Sequence, residues 1–68
     1  MLEEEIEALK RRIVELQIEH RDLDDVIGRL SVDADPDELQ IRRLKKRKLA
    51  LKDEITLLQM RITPDIPA

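Results

Sequence analysis

An apolar heptad pattern that reverses on itself constrains this chain more than any other feature. Apolar residues recur at alternating intervals of three and four on both sides of a polar segment near Asp35, which is the a/d spacing of a coiled coil. With Leu30 placed opposite Ile41, the residue numbers of each facing pair sum to 71. The sequence therefore predicts an all-α fold, an antiparallel two-helix coiled-coil hairpin. Its seven layers, here called the seam, are Leu30 with Ile41, Ile27 with Leu44, Leu23 with Lys48, His20 with Leu51, Leu16 with Ile55, Ile13 with Leu58, and Leu9 with Ile62.

Local signals predict the ends of the helices. The first helix is expected from about residue 2 to 31, followed by a loop over 31–35. Asp35 before Pro36 has the pattern of an N-cap followed by a proline in the first turn, and Glu38 completes a capping box. The second helix is therefore expected from about 36 to 62. We expect residues 1–62 to form one hairpin domain and residues 63–68 to form an extended tail, because Pro64 disfavours helix in the residue before it.

Two other arrangements use the same pattern. Ile27, Ala34 and Ile41 are spaced by sevens, so one continuous helix would keep the heptad phase. That helix would hold Pro36 in its interior at a cost of about 3 kcal/mol, which favours the hairpin. A domain-swapped dimer would form the same layers between two chains and remains an alternative.

Composition bears on the class of protein. The chain has 68 residues with no cysteine and no aromatic residue, and 43% of its residues are charged, which disfavours a globular enzyme core. The sequence also lacks a glycine-rich phosphate loop, a nucleophile motif and zinc-ligand spacing. We therefore expect a protein that is not an enzyme, with no catalytic, cofactor-binding or metal-binding residue. The missing cysteines, the acidic start and the absence of a long apolar run favour a cytoplasmic protein without membrane association.

Apolar residues outside the seam predict a homo-oligomer. A chain this short buries too little surface to be comfortably stable alone, and no disulfide can help. A second hairpin would supply the missing contacts and give a dimer that is a four-helix bundle. The predicted oligomer contacts are Val14, Ile18, Val26, Leu49, Leu57 and Met60, with Leu39 as a further apolar residue off the seam.

Charges along the edges of the seam give a second argument for association. Heptad positions place Asp24 toward Lys45 and Gln17 toward Lys52 on one edge, which is a compatible arrangement. On the other edge they place like charges together, Glu19 toward Glu54 and Arg12 toward Arg61. We expect a further helix to relieve this repulsion.

The segment 42–48 contains six basic residues in seven and predicts an interaction surface of Arg42, Arg43, Lys45, Lys46 and Arg47. Such a run can contact nucleic-acid phosphates, so an accessory RNA- or DNA-binding protein is the alternative function. The favoured interpretation is a solvated helix attracted to the other helix, since residues 1–40 carry a net charge of -8 and residues 41–68 a net charge of +5. The main hypothesis is accordingly a self-associating interaction or scaffold protein with an unidentified protein partner.

Two seam positions are polar. His20 lies opposite Leu51, and we expect its ring to pack with an edge toward Glu19 or Glu54; a pH-responsive role is a further alternative. Lys48 can bury its stem and extend its amine toward Asp24. His20, Lys48 and Asp24 are therefore predicted to fix the register of the two helices.

Two stretches of sequence resemble a known family. The first is His-Arg-Asp-Leu-Asp at 20–24 with Ile27 and Leu30, and the second is Leu-Lys-Lys-Arg-Lys-Leu-Ala-Leu-Lys-Asp-Glu-Ile at 44–55. Together they resemble the YdcH-like family over about residues 16 to 60, although that family often has Glu in place of Arg47. The resemblance implies a helical hairpin in a bacterial cytoplasm, with no established activity, substrate or cofactor.

Overall fold

Two helices form the part of the chain that the structure describes, residues 2–62 of a computed structural model. Helix α1 spans Glu3–Ser31 and helix α2 spans Glu38–Ile62, and the two pack against each other. The predicted all-α hairpin is confirmed, whereas the predicted tail at 63–68 lies outside the described residues. The hairpin measures 50 × 25 × 14 Å, so its thinnest dimension is close to the diameter of a single helix.

The seam separates buried from exposed residues. All fourteen of its residues are buried or half-buried, and most of the others are exposed. Four of the fourteen are buried enough to form a core, namely Ile13, Leu16, Ile27 and Leu51, and Leu16 retains 1% of its accessible surface. The heptad pattern thus marks correctly the face that each helix turns toward its neighbour.

Ion pairs between the helices fix their relative direction. Arg12 contacts Glu54, and Lys48 contacts Asp24. The α1 residue with the higher number pairs with the α2 residue with the lower number, so the helices run antiparallel. The numbers of Asp24 and Lys48 sum to 72, one away from the seam value, whereas the long side chains of Arg12 and Arg47 reach partners whose numbers sum with theirs to 66.

Helix α1 has charged side chains suited to its start. Leu2 precedes it in an extended conformation without a side-chain cap, and Glu3, Glu4 and Glu5 occupy the first turn. Negative charge there is stabilised by the unpaired N–H groups and the helix dipole. At the other end the Ser31 hydroxyl donates to the carbonyl of Ile27 at 2.7 Å, a local bond within the last turn.

Helix α2 is capped by a different aspartate from the predicted one. The Gln40 N–H donates to Oδ1 of Asp37 at 3.1 Å, and the Ile41 N–H donates to the Asp37 carbonyl at 3.0 Å. Asp37 is therefore the N-cap, and the assignment of Asp35 was wrong. Pro36 then lies before the cap and lines the same cleft as Ile41, the arrangement of a hydrophobic staple. The Asp37 cap accounts for a helix start two residues later than the proline rule indicates.

Candidate functional site

A polar pair lies where the seam meets solvent. Nζ of Lys48 donates to Oδ1 of Asp24 at 2.7 Å, and Lys48 is half-buried while the Asp24 side chain is 60% exposed. This hydrogen bond and the positive charge of Lys48 hold the pKa of Asp24 below its ordinary value of 3.8. The contact that the sequence predicted for Lys48 is present, and the role of the pair in setting register remains a prediction.

His20 is placed on the seam without the predicted partner. Its Nε2 is buried and makes no hydrogen bond within residues 2–62. The expectation that the ring edge meets Glu19 or Glu54 is therefore wrong for this atom. Instead, Glu19 accepts from Arg47 and Glu54 pairs with Arg12.

The edge that was expected to hold like charges instead holds opposite ones. Arg47 donates to Glu19 at 2.8 Å, and Arg12 lies 3.8 Å from Glu54 and 3.5 Å from Glu15. Each side chain pairs one heptad along from the partner that was expected, so the predicted repulsion is wrong. We call Arg12, Glu19, Arg47 and Glu54 the ion-paired edge. These ion pairs were not predicted because heptad positions allow each side chain two diagonal partners on the other helix. Opposite charge was the signal that could have selected the right partner.

The basic segment 42–48 does not form one surface. Successive residues of a helix point about 100° apart, so a run of cations is distributed around α2. Arg47 and Lys48 turn toward α1 and make ion pairs there. Within residues 2–62 no ion pair is made by the other four cations of the segment, Arg42, Arg43, Lys45 and Lys46.

A shallow cleft of about 380 Å³ lies at the turn end of the hairpin. It joins the last turn of α1 to the first turns of α2, and two of the basic residues contribute to its wall. The residues that line the cleft therefore lie on the sides of α1 and α2 that meet at the turn end. It is lined by Ser31, Pro36, Glu38, Ile41, Arg42 and Lys45.

The predicted oligomer contacts are all accessible. Val26 is 39% exposed and Leu49 65%, and the remaining four lie between these values: Val14, Ile18, Leu57 and Met60. Leu2, Val32 and Leu39 are exposed as well. Within the described hairpin, these large apolar side chains are not covered by the neighbouring helix.

The described residues contain neither a metal-binding cluster nor a membrane-spanning helix. Over residues 2–62, no group of three or more His, Asp or Glu side chains is placed to hold a metal ion. Neither α1 nor α2 has an apolar stretch long enough to cross a bilayer.

Comparison with known proteins gives the family. The profile of a family described as "Protein of unknown function (DUF465)" matches residues 13–59, which include most of both helices and the turn between them. The chain belongs to this family. YdcH-like proteins are DUF465 proteins, so the resemblance seen in the sequence is confirmed. No curated protein and no solved structure matches the chain.

Proposed function

We propose that this DUF465 protein is a bacterial, cytoplasmic interaction module that is not an enzyme, and that it self-associates as a homodimer of hairpins. The assembled dimer would then act as a small scaffold for a protein partner. One observation carries the proposal: the hairpin buries four apolar side chains and leaves nine large apolar ones 39% to 84% exposed.

The shape of the hairpin explains why this exposure favours association. Domains are usually built from at least two packed layers, and this hairpin is a single layer 14 Å thick. Each helix has one neighbour, so most of its circumference faces solvent. A second hairpin stacked on the first would turn that layer into a four-helix bundle.

Energetics support the same conclusion. Ordering a residue costs roughly 1.5 kcal/mol, whereas burying an apolar side chain contributes about 1.5 to 3 kcal/mol. Four buried and ten half-buried seam residues must stabilise a hairpin that spans residues 2–62. Burial of Ile18, Leu57 and the other exposed apolar residues in a dimer would add to this small core.

Sedimentation velocity over about 1 to 100 µM protein tests the proposal, with thermal unfolding at the same concentrations. Association stabilises by mass action, so the unfolding temperature should rise with concentration and the particle should contain more than one chain. Ile18→Ser with Leu57→Ser should shift the particle toward monomer. A matched removal at the hairpin ends, Leu2→Ser with Val32→Ser, should leave the mass unchanged. A folded monomer at every concentration would contradict self-association.

A further inference from the structure

The two edges of the hairpin differ in how their charges are used. On the ion-paired edge, arginines and glutamates of the two helices satisfy one another. The opposite edge carries five exposed cations that make no ion pair within residues 2–62. We call these five residues the basic edge: Lys10, Arg21, Arg42, Lys45 and Lys52.

Two observations place Arg42, Lys45 and the neighbouring part of α1 on one side of the hairpin. Ser31 of α1 lines the turn-end cleft together with Arg42 and Lys45 of α2, which places those three on one side. Asp24 lies seven residues, or about two helical turns, before Ser31 and therefore on the same side of α1. Its contact with Lys48 shows that this side also faces α2 at that point.

Helical spacing adds the remaining members of the basic edge. Lys10 lies fourteen residues before Asp24, and Arg21 lies three before it, so both fall on the strip of α1 that Asp24 marks. Lys52 lies seven residues after Lys45, which keeps it on the corresponding strip of α2. The edge is therefore built from both helices.

The cations form a long row with little opposing charge. Arg42 lies level with residue 29 in the predicted register, so the row from Lys10 to Arg42 extends over about 29 Å. Asp24 is neutralised by Lys48. Glu38 lines the turn-end cleft with Arg42 and Lys45, and Glu7 lies three residues before Lys10, so carboxylates flank the two ends of the row. The middle of the edge is thus positive although the whole chain has a net charge of -3.

The neutral residues among these cations are mostly hydrogen-bonding or small. Gln17 and Thr56 fall on the same strips by their spacing, and both are exposed. A Cβ added at Gly28 would meet nothing within 4 Å, so the surface is open near the turn end. Val14 and Leu49 are the exposed apolar residues here. Phosphate oxygens accept hydrogen bonds from Lys, Arg and Gln, so this composition suits a phosphate backbone better than an apolar partner helix, although the Thr56 hydroxyl already donates to the Lys52 carbonyl.

We propose that the basic edge binds the phosphate backbone of a nucleic acid without reading its bases. Five cations can contact up to five phosphates, and the chain has no aromatic residue on which a base could stack. The surface differs from the one predicted from the segment 42–48: it leaves out Arg43, Lys46 and Arg47, and it gains Lys10 and Arg21 from α1 and Lys52 from α2. It is present on each hairpin, and a dimer that packs through Ile18 and Leu57 rather than through Val14 and Leu49 would leave it accessible.

Fluorescence anisotropy with labelled oligonucleotides of about 20 nucleotides tests this, using duplex DNA, single-stranded DNA and single-stranded RNA. Over about 20 to 300 mM potassium chloride, a plot of log K against log salt should have a slope of about -4 to -5 for the duplex and about -3 to -4 for single strands. Arg21→Gln, Lys45→Gln and Lys52→Gln together should reduce affinity by about tenfold or more and make the slope shallower by two to three.

A matched control keeps the same loss of charge but moves it to other faces: Arg11→Gln, Arg29→Gln and Lys46→Gln. These side chains are also exposed and make no ion pair within residues 2–62. The control should bind nearly as well as the natural chain, and circular dichroism should show that both triple variants remain helical. Equal weakening by the two triple variants would overturn the proposal, as would no binding of any oligonucleotide at the lowest salt. Binding of polyglutamate as tight as that of nucleic acid would also overturn it and would assign the edge to acidic proteins.

Discussion

Leu16→Ala should destabilise the hairpin more than any equivalent change outside the seam. Leu16 retains 1% of its accessible surface and lies between two helices that have no second layer behind them. Buried Leu→Ala changes cost about 2 to 5 kcal/mol, and a thin hairpin can partly collapse around the gap, so we expect about 2 to 3 kcal/mol. For a domain of this size that lowers the unfolding temperature by about 10 to 20 °C. Urea unfolding followed by circular dichroism at fixed protein concentration measures the loss.

Leu39→Ala is the matched control for this change. Leu39 is in the first turns of α2 and is 57% exposed, so the same three carbon atoms are removed from solvent rather than from the core. Its cost should stay within about 0.5 kcal/mol. If Leu39→Ala destabilised the protein as much as Leu16→Ala, burial along the seam would not be what stabilises the fold.

Three further changes test the polar contacts. Asp24→Asn should lower the free energy of unfolding at neutral pH, and this loss should shrink as pH falls below 3.8, because the lowered pKa stabilises the fold above 3.8 and that stabilisation is lost as pH falls through the folded-state value. Urea titrations over a series of pH values would refute this by showing an equal loss at every pH. Glu19→Arg and Arg47→Glu should each destabilise while their combination recovers about 0.2 to 1 kcal/mol, measured as a double-mutant cycle. His20→Leu should raise stability by about 1 kcal/mol, since Nε2 is buried without a partner; a decrease in the midpoint of urea unfolding would show that the ring nitrogen is satisfied.

The sequence predicted the seam well because burial follows a period that residue type reveals. Each helix needs apolar residues at intervals of three and four. Leu16 and Ile55 can therefore be assigned to the seam from the sequence of their own helix alone. The family was likewise visible in the segment 44–55, which lies within the matched residues. Both signals are local and repeat along the chain.

Charge contacts and the helix cap were less predictable because several partners lie within reach. Arg12 can lean along the helix toward either Glu54 or Arg61, and position alone does not choose between them. Asp35 and Asp37 both flank Pro36, and the cap is decided by where the chain leaves the turn. The basic edge was missed for another reason, since its members are far apart in sequence and meet only when α1 and α2 are paired.

Distance measurement between spin labels tests the antiparallel hairpin most directly. The chain has no cysteine, so Arg11→Cys with Met60→Cys places two labels at exposed positions of the same layer. Double electron–electron resonance should give roughly 20 to 30 Å between labels on paired helices, unchanged when labelled chains are diluted with unlabelled ones. One continuous helix would instead separate the two positions by about 74 Å. That long distance, or the loss on dilution of every distance in the 20 to 30 Å range, would contradict a hairpin formed within one chain.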